Sequence, residues 1–251
     1  MEMVWAKKLM ANLKISTGQS LNRYECEQCH DTGIIVLPSG EGAVCECMRL
    51  KRREKLFASS KITPAFKDKK FDNFYITGRP EPILKMFNNA KEYAENFAEV
   101  RRWEDNWIAF LGEPGCGKTH LSLAIANNLL DQGISVLYFQ HIEGIQEFIN
   151  YWDEHETYRN RLEEMKKTEV LVWDDLFKPI GEASKMEKKI AFEVLNYRYL
   201  NLLPTIISSE RSIKEICLLD RAIGSRIAER ARKFAVTITG LEYNFRLTKG
   251  A

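Results

Sequence analysis

The chain has 251 residues, 45% hydrophobic and 29% charged, with 37 Lys and Arg against 35 Asp and Glu for a net charge of +2. That apolar fraction suits a folded core and excludes wholesale disorder, and no apolar run approaches the ~18–20 residues a membrane helix requires. The near-neutral balance excludes a protein that coats nucleic acid by bulk electrostatics, and at about 150 residues per domain the length predicts one full domain plus a smaller one.

The opening stretch MEMVWAKKLMANLKIS has no apolar core followed by a small-residue cleavage site, so the expectation is a cytoplasmic protein. Val4/Trp5, Leu9 and Leu13 recur at helical spacing, which suits docking onto a partner or onto the chain's own core. Four of the six cysteines then fall close together, as Cys26-x-x-Cys29 and, fifteen residues later, Cys45-x-Cys47. Two short ligand pairs joined by a hairpin are the arrangement that tetrahedral zinc requires, and a closed four-thiolate shell makes such a metal structural. An iron–sulfur cluster could use the same ligands, and four reduced thiols in a small core are the bland alternative. His30 is a spare ligand beside a shell that four sulfurs already fill. Ile34–Leu37 reads as a strand, Pro38–Gly42 supplies turn chemistry, and Ala43-Val44 leads back to the second cysteine pair.

A basic run, Arg49–Lys55, reads as a helix suited to an acidic protein surface, to nucleic acid, or simply to solvent. Residues 1–70 hold 13 Lys and Arg against 8 Asp and Glu, a balance of +5 that leaves −3 for the remainder. Lys61-Ile62-Thr63-Pro64 breaks the helix, Phe71–Phe74 through Pro80 reads as an aromatic-anchored linker, and the domain boundary is placed near residue 70. The expected division is a metal-binding module over residues 1–70 and a second domain over 71–251.

From residue 81 helices and strands alternate. Ile83, Phe87, Ala90, Ala94 and Phe97 make an amphipathic helix, and Trp107–Leu111 is a buried strand. Directly after it stands Gly112-Glu113-Pro114-Gly115-Cys116-Gly117-Lys118-Thr119-His120, a full G-x-x-x-x-G-K-[ST] match with a helix behind it. The glycines let backbone N–H groups turn around a phosphate, Lys118 reaches the β- and γ-oxygens, and Thr119 offers a hydroxyl to Mg²⁺. Cys116 reads as a small loop filler. Ile134–Phe139 is the next strand and a helix fills Ile142–Met165. Val170–Trp173 is an apolar strand that ends in Asp174, which is placed to hold Mg²⁺, and in Asp175, which is placed to polarise a water. A helix over Ser184–Asn201, a strand over Thr205–Ser209 and a last strand over Phe234–Ile238 complete an α/β fold with a mostly parallel sheet covered on both faces. Lys166-Lys167, Lys188-Lys189 and Arg232-Lys233 read as solvated basic pairs.

Four segments, GEPGCGKTHLSLAIANNLL, VLVWDDL, LNYRYLNLLPTIISSE and DRAIGSRIAER, together resemble the AAA+ ATPases of the DnaC/DnaI helicase-loader group. The likeness includes phage and prophage versions and extends more distantly to the IstB transposition helpers. YECEQCHDTG…CEC is similar to the zinc-bearing N-terminal region of DnaI-type loaders. The resemblance implies a P-loop AAA+ domain that takes ATP and Mg²⁺ behind a zinc module, and it implies an ATPase. It implies three partners: a DnaB-type hexameric helicase, single-stranded DNA, and further copies of the chain meeting through the ATP site. It places sensor I at Ser208, Ser209 and Glu210, the last standing where Asn is frequent, and sensor II at Arg246. The arginine finger falls on Arg230 first and Arg226 second, four positions apart on one helix face. Asp175 stands where many AAA+ proteins carry Glu, so slow, partner-stimulated hydrolysis is expected. The alternative function is an IstB-like DNA-remodelling ATPase that assists a transposase, and a third is an interaction protein using ATP as a structural ligand.

Overall fold

The computed structural model describes residues 24–178 and 182–248; the stripe Val4–Leu13 lies outside them. The chain divides into two compact units, Met1–Lys51 and Arg52–Ala251.

In the small unit, β1 (Ile34–Val36) and β2 (Gly42–Val44) form an antiparallel hairpin with Ile34 opposite Val44 and Val36 opposite Gly42. Two loop bonds close the turn, Leu37 N–H to the Glu41 carbonyl and Gly40 N–H to the Leu37 carbonyl. Cys45 N–H returns to the Gly33 carbonyl at 2.8 Å, which brings the second cysteine pair beside the first. Helix α1 (Glu46–Ser59) begins at the second pair and carries the expected basic run.

The large unit begins at Arg52, not near residue 70. The intervening segment belongs to its core: Ile62 is buried, Leu56, Phe57 and Phe66 pack against the same cluster, and Tyr138 N–H bonds to the Ser60 carbonyl at 2.7 Å. Asn127 Nδ2 then clamps the Phe66 and Lys69 carbonyls at 3.0 and 2.9 Å. Composition pointed to residue 70 because the segment's apolar anchors are few and set among lysines.

The remaining helices are α2 (Glu81–Glu95), α3 (Phe97–Val100), α4 (Lys118–Asp131), α5 (His141–Asn150), α6 (His155–Lys167), α7 (Lys185–Leu200), α8 (Ile213–Leu219), α9 (Arg221–Arg230) and α10 (Phe245–Thr248). The strands are β3 (Ile108–Gly112), β4 (Val136–Gln140), β5 (Val170–Asp174), β6 (Thr205–Ser209) and β7 (Val236–Ile238). They pair in parallel in the order β4-β5-β6-β3-β7. Strands β3, β5 and β6 are buried on both faces, which explains their near-continuous apolar runs, whereas edge strand β7 leaves Thr237 exposed. Ile108, Phe110, Val170, Val172 and Ile206 face one cluster with α2 and α4, whereas Ala109, Leu111, Leu171, Trp173 and Ile207 face the other with α7 and α9. The single helix expected over Ile142–Met165 is two, α5 and α6, parted by a turn at Tyr151–Glu154. Among the described residues no helix is long and apolar enough to cross a membrane.

Candidate nucleotide and metal sites

The loop between β3 and α4 shows why its glycines are glycines. Gly112, Gly115 and Gly117 have φ of +94°, +72° and +108°, values that penalise any side chain. A Cβ on Gly112 would stand 1.9 Å from the Ile238 carbonyl oxygen, so the loop also needs that position bare to cross the end of β7. Lys118 opens α4, is 5% exposed, and donates to the Gly112 and Glu113 carbonyls at 2.7 and 2.8 Å. Its ammonium therefore stands at the concave side of the loop. Cys116 is fully buried, and burial pushes its thiol up, as befits a filler and not a nucleophile. His120 turns away to bond the Lys70 carbonyl at 2.9 Å and meets Phe74 edge-on.

Asp174 ends β5 and is 3% exposed. Thr119 Oγ1 donates to its Oδ1 at 3.0 Å, Tyr138 Oη donates to Oδ2 at 2.8 Å, and the Ser208 hydroxyl also reaches Oδ1. Burial drives its carboxyl above the ordinary aspartate value, against the pull of these hydroxyls. A desolvated carboxylate beside a threonine hydroxyl is a donor pair that favours a hard cation, and it fits Mg²⁺. Tyr138 escaped the sequence reading; its signal was a lone phenol in a buried strand, which needs a partner for its hydroxyl.

Asp175 has φ +55°. Its N–H donates to Ser208 Oγ at 2.9 Å and its carboxylate receives Lys178 Nζ at 2.9 Å. Glu210 lies 3.9 Å from the same ammonium. Ser209, the other sensor I candidate, is buried with its hydroxyl on the Leu176 carbonyl at 2.6 Å; it is Ser208 that touches both acids.

A cavity of about 150 Å³ adjoins the loop, lined by Phe74, Tyr75, Arg79, Gly115, His120 and Phe245 among others. Sequence reading took Phe71–Pro80 as a linker and missed this wall. Phe245 N–H bonds to the Gly115 carbonyl at 3.1 Å, and Arg246 Cγ lies 3.4 Å from where a Gly115 Cβ would be. The loop thus carries Arg246 at its edge.

The two finger candidates separate sharply. Arg230 is 8% exposed, donates to the Glu104 carbonyl and, at 2.8 Å, to the Tyr199 carbonyl, and lies over the Tyr199 ring. Arg226 is half-buried, lies over Phe192 and Tyr199, and among the described residues donates to the Ala222 carbonyl of its own helix. Arg230 is thus held by carbonyls of its own chain, from the β3 approach and the end of α7. Of the basic pairs, Lys166 and Lys167 meet Glu163, and Lys233 meets Glu92.

In the small unit, the sulfurs of Cys26, Cys29, Cys45 and Cys47 all lie within 4.8 Å of one another, close to the ~3.8 Å edges of a tetrahedron with 2.3 Å metal–sulfur bonds. His30 is exposed and packs on Tyr24. His30 and Asp31 take φ of +48° and +64°, and the Asp31 carboxylate caps the N–H groups of Glu25 and Cys26. The backbone N–H of Cys29 draws the Cys26 thiol down to about 7, while hydrogen bonding to Cys29 and burial push the Cys47 thiol up. Four sulfurs this close cannot all ionise without a cation among them, so the donor set fits a thiophilic metal.

Residues 95–244 match the family model of the IstB-like ATP binding protein. YqaM of Bacillus subtilis (strain 168), an uncharacterized protein, is 42% identical over 209 residues, 81% of this chain and 66% of that protein. The phage-like element PBSX protein XkdC of the same organism is 37% identical over 88% of this chain and 85% of its own length. The replicative helicase loader DnaC of Escherichia coli (strain K12) is 27% identical over 73% of this chain and 71% of its own. A crystal structure of the DnaC helicase loader superposes with a TM-score of 0.57 at 21% identity, covering 70% of this chain and 99% of that one, and carries the same fold.

Proposed function

This chain belongs to the IstB-like ATP-binding family as an ATPase homologous to DnaC, and we propose that it is a helicase loader of the phage-element branch. In this reading the four cysteines hold zinc, and the small unit grips a DnaB-type hexameric helicase. The large unit binds ATP, self-associates and delivers the helicase onto single-stranded DNA. The observation that carries the proposal is the union in one chain of the Thr119–Asp174 pair beneath a phosphate loop with a separate four-thiolate hairpin. The loader name of the DnaC relative and the phage-element name of XkdC support it.

The residues divide the work as follows. Backbone N–H groups of the loop and the start of α4 receive the β-phosphate, and Lys118 leaves its loop carbonyls for the β- and γ-oxygens. Thr119 and Asp174 would hold Mg²⁺, which when bound neutralises charge on the phosphates. Asp175 orients the attacking water and Ser208 fixes the two acids relative to each other. Arg246, at the edge of the loop, acts in cis. Arg226 reaches a neighbouring subunit's ATP, so that ATP binding assembles protomers and hydrolysis releases them. On the small unit, Ile34, Val36 and Val44 are 59%, 77% and 68% exposed on one face of the hairpin, and this apolar face meets the helicase.

Co-elution with the cognate helicase tests the reading. The intact protein should co-elute. Ile34→Asp with Val36→Asp should abolish the complex while ATP hydrolysis and metal content persist. Undiminished binding would remove the hairpin from the mechanism. Indifference to helicase, with ATP-dependent filament growth on duplex DNA, would favour the transposase-helper function instead.

A further inference from the structure

The turn after β5 concentrates unusual features in four residues. Asp175 and Phe177 both occupy the left-handed region, at φ +55° and +51°, a conformation that costs non-glycine residues free energy and persists only where surroundings enforce it. Here the surroundings are visible. Leu176 N–H bonds to the Ser208 carbonyl at 2.8 Å, Ser209 Oγ to the Leu176 carbonyl at 2.6 Å, and Arg211 Nε to the Phe177 carbonyl at 2.7 Å. Lys178 N–H closes the turn on the Asp175 carbonyl at 3.0 Å. The backbone therefore folds Lys178 back over the residue three positions before it.

Its ammonium consequently lies between two carboxylates, 2.9 Å from Asp175 Oδ2 and 3.9 Å from Glu210 Oε1. Hydrogen bonding to Asp175 raises the affinity of Lys178 for its proton, so the cation is secure. Both acid side chains are 18% exposed and Lys178 is 32% exposed, so neither contact is a freely solvated surface pair. The two departures from the family pattern, Asp175 for Glu and Glu210 for Asn, are thus bridged by one lysine. A carboxylate that accepts an ammonium hydrogen bond is a poorer acceptor for a water proton.

We propose that Lys178 is a positioning residue that restrains Asp175 and is handed to Glu210 when the site becomes competent for hydrolysis. The proposal rests on the reading of Asp175 as the residue that orients the attacking water. With Lys178 on Asp175 the water's proton acceptor is occupied; with Lys178 on Glu210 it is free. Glu210 then acts as the second seat of the lysine and needs no contact with phosphate.

The test uses the full-length protein with Mg·ATP, reading kcat and KM for phosphate release, and the affinity for a fluorescent ATP analogue separately. Lys178→Gln should raise kcat roughly fivefold, the weight of a partly exposed ion pair, with affinity unchanged. Lys178→Arg should restore the low basal rate. Glu210→Gln, which removes the second seat, should lower kcat by a similar factor without moving affinity. Asp175→Asn separates the two readings. If it binds nucleotide and hydrolyses at the wild-type rate, the role of Asp175 fails and the restraint fails with it. If it binds without hydrolysing while Lys178→Gln leaves kcat unchanged or lower, the restraint alone is overturned.

Discussion

The two units are held together by different physics. Among the described residues of the small unit only Cys29, Gly33 and Cys45 are buried, while Ile34, Val36 and Val44 face outward. The large unit buries its strands β3, β5 and β6 on both faces and places Trp107, Trp173, Phe110 and Phe139 out of solvent. A hairpin with so little apolar burial cannot offset its chain entropy, so its order is expected to rest on the metal proposed for its four cysteines. The large unit owes its order to the hydrophobic effect, and among its buried charges Lys118 and Asp174 stand at the phosphate loop while Arg198 and Arg230 bind backbone carbonyls.

The largest test of this contrast is removal of the proposed metal. Structural zinc contributes on the order of 10–16 kcal/mol to small four-ligand folds. A strong chelator, or Cys26→Ser with Cys29→Ser, should abolish the hairpin's ordered amide signals by NMR and leave ATP hydrolysis intact. Equal loss of both would show that the units are not independent.

Next comes the site of the large unit. Lys118→Ala should reduce ATP hydrolysis by about 10²–10³-fold, as loss of a preorganised charge does, with zinc content unchanged by metal analysis. Residual hydrolysis near the wild-type rate would sink the assignment of the loop as the active site.

The arginines of α9 provide a finer test. Removing Arg230 deletes its bonds to the Glu104 and Tyr199 carbonyls and its contact over the Tyr199 ring, and a hydrogen bond from a charged donor contributes about 1.5–3 kcal/mol. Arg230→Ala should therefore lower the denaturant midpoint of the large unit by that order. Arg226→Ala should leave the midpoint within about 0.5 kcal/mol yet remove the stimulation of hydrolysis expected of the proposed self-association. The opposite pattern would return the finger role to Arg230.

That pair also marks the limit of what sequence carries. Spacing placed Arg226 and Arg230 on one helix face, but the carbonyl that holds Arg230 belongs to Glu104, 126 positions away. The same applies to residues 52–70, whose place is decided by Asn127 and Tyr138 far along the chain. What was legible obeyed local rules. The Thr205–Ser209 strand agrees with its expected bounds, the phosphate loop announces itself by glycines with obligatory positive φ, and the cysteine pairs announce themselves by ligand spacing. Lys178 was invisible because a turn with two left-handed non-glycine residues has no sequence signature.

The smallest effect concerns one helix start in the large unit. Ser184 caps α7, accepting from Glu187 N–H while the Glu187 carboxylate accepts from Ser184 N–H at 2.5 Å. Burial opposes ionisation of Glu187, but the Ser184 bonds and His141 outweigh it and hold the carboxyl below the ordinary glutamate value. A depressed folded pKa stabilises the fold above the unfolded pKa, and the contribution is lost as pH falls through the folded one. Ser184→Ala should therefore cost about 1 kcal/mol at pH 7. Its cost should shrink as pH falls below the ordinary glutamate range, because a protonated Glu187 no longer completes the reciprocal cap. Denaturant titrations of both proteins at pH 7 and at about pH 3 would show it. A cost that is flat across that window would mean the serine hydroxyl acts alone, and that even this corner of the large unit is fixed by packing.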